Sequence, residues 1–235
     1  MYYSGIPAKP QAPNSETTRR WEASALRRRL LTGQWSQDLE DEIARQIGTG
    51  GRRSAWGVAD QSSNAFLAIC QSLSALYAER PSIAAPLGAQ DLLANDGLID
   101  RAGLWPMMQL IQMYTIGMRE CLICVGVDEK NQGLTYRPAY PDMIYAEAHS
   151  SAPTVPVYLY ELRLRKGIKE KKPVWTVDVY DLRDADDPHF KIRAISAGGE
   201  LGADLTEHYT GGNYSGESYP YRRADGSPFL PYVIY

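Results

Sequence analysis

Through the first half of the chain, apolar residues recur at three- and four-residue steps, the period of a helix packed on one side. The pattern predicts a helix from about Glu16 to Leu31, with Trp21, Ala25, Leu26 and Leu30 among its apolar positions and Gly33 as its C-terminal cap. A second helix follows, with Ser36 as cap, Asp38, Glu40, Asp41 and Glu42 in its first turns, and Leu39, Ile43 and Ile47 on one stripe ending at Gly48. Asp60-Gln61-Ser62-Ser63-Asn64 is dense in capping residues. Behind it, Phe66, Ile69, Cys70, Leu73, Leu76 and Tyr77 predict a strongly buried helix that Pro81 stops. A further helix is expected from about Gly103 to Met118, with Pro106 tolerated near its first turn and Leu104, Met107, Met108, Ile111, Tyr114 and Thr115 as its packing face.

Past Met118 the period shortens to two, the strand signature. Leu122 to Val127 and Leu134 to Arg137 flank the polar turn 128–133 and read as a hairpin. Val157 to Arg165 alternates, with Tyr158, Tyr160, Leu162 and Leu164 on one face and Leu159, Glu161, Arg163 and Arg165 on the other. After the basic turn 166–172, Val174 to Leu182 returns. The acidic turn 184–188 then leads into Phe190, Ile192 and Ala194. This is an antiparallel meander expected to expose one face. Segment 196–218 is glycine-rich, with Tyr209 and Tyr214 interleaved, and reads as a loop packed on something. The last residues are a turn, Asp225-Gly226-Ser227-Pro228, and an apolar run, Phe229 to Tyr235, that wants burial. The resulting expectation is an α+β chain: a loose arm over 1–14, a helical part over 15–120 and a β-rich part over 121–235.

Composition narrows the function classes. The chain has 235 residues and a formal net charge of −3, so its overall charge does not select nucleic acid or membrane as a partner. Sixteen tyrosines against three phenylalanines suit half-buried sheets and subunit interfaces. Three cysteines, an odd and low count, fit a reducing compartment rather than a disulfide scaffold. The opening residues lack the basic and apolar regions of a signal peptide, and no apolar run approaches the roughly 18 residues that span a bilayer. A soluble protein made in the cytoplasm, without membrane contact, is expected.

Candidate chemistry is sparse. Arg19, Arg20, Arg27, Arg28 and Arg29 cluster on the first helix. They read either as a contact for a neighbouring subunit or an anionic partner, or as a solvated face that compensates the helix dipole, which is the commoner case. Gly48-Thr49-Gly50-Gly51-Arg52-Arg53 lacks the Gly-Lys-Ser/Thr ending of a phosphate loop and follows a helix, so it reads as a connector. Cys121-Leu122-Ile123-Cys124 has redox or metal spacing, but strand positions three apart face opposite sides and no second ligand pair is present. His149, His189 and His208 form no ligand pair, and no nucleophile elbow appears. Asp181, Asp184, Asp186 and Asp187 offer oxygen ligands to a divalent ion, although a charged turn explains them better. The basic turn 166–172 reads as a solvated hairpin tip before it reads as a nucleic-acid contact. No cofactor and no catalytic residue is assigned.

Several stretches, in order, carry a resemblance. They are the Arg-rich helix running into Leu30-Leu31-Thr32-Gly33-Gln34-Trp35, then Ala59-Asp60-Gln61-Ser62-Ser63-Asn64 leading into Leu73-Ser74-Ala75-Leu76-Tyr77 and Arg80-Pro81. Next come Leu134-Thr135-Tyr136-Arg137-Pro138-Ala139-Tyr140-Pro141-Asp142, the meander Val174-Trp175-Thr176-Val177-Asp178-Val179-Tyr180, and the terminal segment from Ser218 to Tyr235. Together they resemble the N-terminal, wing-type portion of tailed-bacteriophage portal proteins. Each stretch is short, and their order over 15–235 carries the likeness.

The resemblance implies a non-enzymatic structural subunit of a homo-oligomeric ring, typically of twelve copies, at the capsid vertex of a virion. Such a ring is part of the conduit for genome packaging and ejection. It implies contacts with neighbouring subunits and with a major capsid or scaffold protein. Double-stranded DNA would be touched without sequence preference. In the family an extended, proline-containing segment like Ser227 to Tyr235 leads into long stem helices, so terminase and head–tail adaptor would dock on parts beyond this chain. Two rivals stand beside this reading. One is an α+β protein-interaction module of a virion or host protein, which predicts a stable monomer with its last strand buried internally. The other is a metal-dependent phosphodiester-cleaving enzyme using the Asp181 to Asp187 acids.

Overall fold

The computed structural model describes residues 15–47, 64–75, 97–128, 133–168, 172–210, 214 and 218–234. The chain has an α+β fold, with helices on the N-terminal side followed by antiparallel sheets. It forms two compact units, one built on Arg19–Asp142 with the strand Tyr232–Ile234, the other on Met143–Pro231. The hairpin over 122–139 belongs with the helices, which a linear division at residue 120 separates from it. The arm expected over 1–14, the connector 48–53 and the helix end at Tyr77–Pro81 lie outside the described residues.

In the helical unit, α1 (Ser15–Leu31) ends where Gly33 takes φ 74°, the left-handed conformation that a glycine reaches without strain. Its inward stripe is Trp21, Ser24, Arg28 and Leu31, while Leu26 is exposed. Helix α2 (Ser36–Ile47) begins one residue earlier than expected, because the Trp35 carbonyl accepts from Leu39 N and so occupies the cap position. Helix α3 (Ala65–Leu73) is capped by Asn64, whose Oδ1 accepts from Leu67 N at 3.0 Å. It is not the strongly buried helix that its composition predicts. Cys70 is buried, but Ile69 and Leu73 are 57% and 61% exposed, because the helix packs along one side only.

After the single turn α4 (Leu98–Arg101), α5 (Leu104–Met118) supplies Ile111, Tyr114 and Met118 to a core shared with Leu31, Cys70, Cys121 and Ile123. At Gly117 an added Cβ would lie 2.6 Å from Leu31 Cδ1, so this position lets the Leu31 side chain press against the α5 backbone. Strands β1 (Leu122–Asp128) and β2 (Gly133–Ala139) pair antiparallel across all seven positions. The last strand, β8 (Tyr232–Ile234), adds to the other side of β1 and gives the order β2-β1-β8.

The second unit is a five-stranded antiparallel meander, β3 (Ile144–His149), β4 (Ala152–Lys166), β5 (Pro173–Asp181), β6 (His189–Ile195) and β7 (Leu201–Asp204), in sequence order. The expected half-exposed sheet is instead buried on both faces. Tyr158, Tyr160, Leu162, Val177 and Val179 are buried on one side, and Leu159, Glu161, Asp178, Tyr180 and Ile192 on the other. The second of these faces is covered by the chain that follows β7. The turn α6 (Thr206–Tyr209) brings Thr206 Oγ1 to accept from Ile192 N at 2.9 Å. Tyr214 and Tyr221 lay their rings against Phe190, and Tyr221 also meets Tyr180. Tyr219 donates from its hydroxyl to the Phe229 carbonyl at 2.8 Å, which closes the segment on itself.

Candidate functional site

The five arginines singled out on α1 do not form one surface. Arg28 is 2% exposed and forks onto Asp142, itself 3% exposed, with Nε at 3.1 and 3.0 Å from the two carboxylate oxygens and Nη2 at 2.9 Å. Its guanidinium also lies 5.6 Å from the centroid of the Tyr140 ring, which meets Tyr114 edge-on. Arg28 is therefore an internal strut of the helical unit, and the solvated-face reading is overturned for it. Burying a guanidinium is tolerable only with a hydrogen-bonded counter-charge, and Asp142 supplies one through Nε and Nη2.

Arg29 binds Asp38 at 2.7 and 2.6 Å and so ties α1 to the first turn of α2. That hydrogen-bonded carboxylate holds the Arg29 guanidinium above its ordinary value. Arg20 pairs with Glu120 at the end of α5 and is largely exposed. Arg19 is exposed and Arg27 half-buried, and neither has an ion-pair partner among the described residues. What remains of the cluster for an external anion is two side chains eight residues apart.

The acids over 181–187 also divide. Burial pushes the Asp181 carboxyl up, but hydrogen bonds from the Arg183 side chain and backbone, with its charge, outweigh burial and hold it below its usual value. Arg183 in turn lies 4.3 Å from the Tyr158 ring centroid and reaches Glu147 at 3.6 Å. Asp184 Oδ1 accepts from Asp186 N at 3.0 Å, which makes it a turn-forming residue. Asp184, Asp186 and Asp187 are exposed. Among the described residues, no three His, Cys, Asp or Glu side chains are grouped to hold a metal ion.

The remaining candidates resolve simply. Cys121 and Cys124 are buried and in no disulfide, and burial pushes Cys121 up to about 12. A thiol so placed is neither nucleophile nor ready ligand at neutral pH. Lys166 and Lys172 are exposed at the β4–β5 hairpin, which Gly167 N closes by donating to the Lys172 carbonyl at 2.7 Å. Lys169, Glu170 and Lys171 lie outside the described residues. His149 and His208 are exposed, and His189 is partly buried with Nε2 3.9 Å from Asp181.

Two internal charge centres escaped the sequence reading. One is Arg28 with Asp142. The other is Asp178, 1% exposed, which accepts from Arg165 at 2.5 and 2.8 Å and from Arg163 at 3.1 Å. Both had a signal. Arg28 falls on the Trp21, Ser24, Leu31 stripe by helical spacing, and Asp178 shares a sheet face with Arg163 and Arg165 once β4 and β5 are in register. A shallow cleft of about 230 Å³ lies between α3 and α5, lined by Gln71, Ser74, Pro106, Gln109, Leu110 and Met113. No protein-family model and no curated protein sequence matches the chain.

Proposed function

We propose that this chain is the wing portion of a portal-type subunit, a structural and non-enzymatic component of a ring at a virion's capsid vertex. In this role it contacts neighbouring copies of itself and a capsid or scaffold protein. DNA is touched through phosphates alone, and terminase and adaptor dock elsewhere on the complete protein. The observation that carries the reading is the convergence, in the helical unit, of the stretches on which the resemblance rests. Asn64 Nδ2 donates to the Leu30 carbonyl at 2.5 Å, Arg28 holds Asp142, and β8 pairs with β1. Segments as far as 114 residues apart in sequence thus meet in that unit. Three buried aspartates, Asp142, Asp178 and Asp181, each face an arginine. That use of charge supports a scaffold, since a carboxylate neutralised by a guanidinium is a poor metal ligand.

Sedimentation velocity on the complete protein tests this reading. Particles with the mass of many subunits are expected, and a single monomeric boundary at all concentrations overturns it. A nuclease assay with added Mg²⁺ or Mn²⁺ belongs beside it. No metal-stimulated cleavage is expected, and cleavage lost in an Asp186→Asn, Asp187→Asn variant would restore the enzyme reading.

A second reading has an observation in its favour. An interaction module predicts a last strand buried within its own chain, and Tyr232–Ile234 does pair with β1. The exposed Ile69 and Leu73 would then be contact residues. The sedimentation experiment separates the two, since such a module stays monomeric.

A further inference from the structure

We draw no further inference here: the strongest candidate, the exposed Ile69 and Leu73 face of α3, is an apolar surface, and nothing in the structure shows what covers it.

Discussion

An arginine with almost none of its surface in water needs an anion, and Arg28 has one in Asp142, 114 residues away. Removing one partner of such a pair strands the other charge in a poor solvent, at about 3–5 kcal/mol. Asp142→Ala should therefore lower the unfolding free energy in urea by about that amount. The double variant Arg28→Met, Asp142→Leu should lose less, because no charge is left behind. Arg20→Ala, which breaks an exposed pair with Glu120, should cost under about 1 kcal/mol. Equal small losses at both sites would show that Arg28 is solvated after all.

Cys121 offers a test of burial at the same scale. Its thiol titrates at about 12 against an ordinary 9.0, chiefly because burial disfavours the thiolate, with a backbone hydrogen bond at Ala139 opposing and the Glu120 charge adding. A raised folded value favours the protonated native state, so this contribution is complete below pH 9 and is lost as pH rises toward 12. Native protein should resist alkylation at Cys121 at neutral pH and react once urea unfolds it. Labelling of the native protein at the unfolded rate would contradict the buried placement.

At the scale of elements, Asn64 joins two helices with one side chain. Its oxygen caps α3, and its amide nitrogen donates to the Leu30 carbonyl near the end of α1. Asn64→Ala should cost about 1–2 kcal/mol in thermal unfolding. Asn64→Asp keeps the cap acceptor and loses the donor to Leu30, so it should recover only part of that loss. An alanine variant as stable as the parent would remove this joint from the account. The longer helices and strands β4 to β6 were legible in the sequence, because Gly33, Asn64 and the two-residue alternation are local signals, whereas β3 and β7, the latter inside the glycine-rich segment read as a loop, were not. The burial of the legible elements was harder to read. Ile69 and Leu73 look like core by spacing, yet only tertiary packing decides which side of a short helix is covered. The alternation in β4 predicts two distinct faces, but it carries no information about the loop bearing Thr206, Tyr214 and Tyr221 that folds over one of them.

For the whole molecule, the terminal strand was the hardest feature to read. Its composition calls for burial but does not name a partner, and the partner is β1, about 110 residues earlier in the chain. Pairing at that separation depends on register, which a local pattern does not express. The candidate site was less legible still. Five arginines in one helix look like a single patch, but three of them pair with three different carboxylates of the same chain, from partly exposed Glu120 to buried Asp142. What this leaves is a framework braced by charge, consistent with a role in assembly. In a ring each copy must present one surface to the copy on one side and a different surface to the copy on the other, so that the contacts close on themselves. The most direct test is negative-stain imaging of the complete protein that carries this chain. The account predicts closed rings with a central hole, and a field of compact single subunits would contradict it.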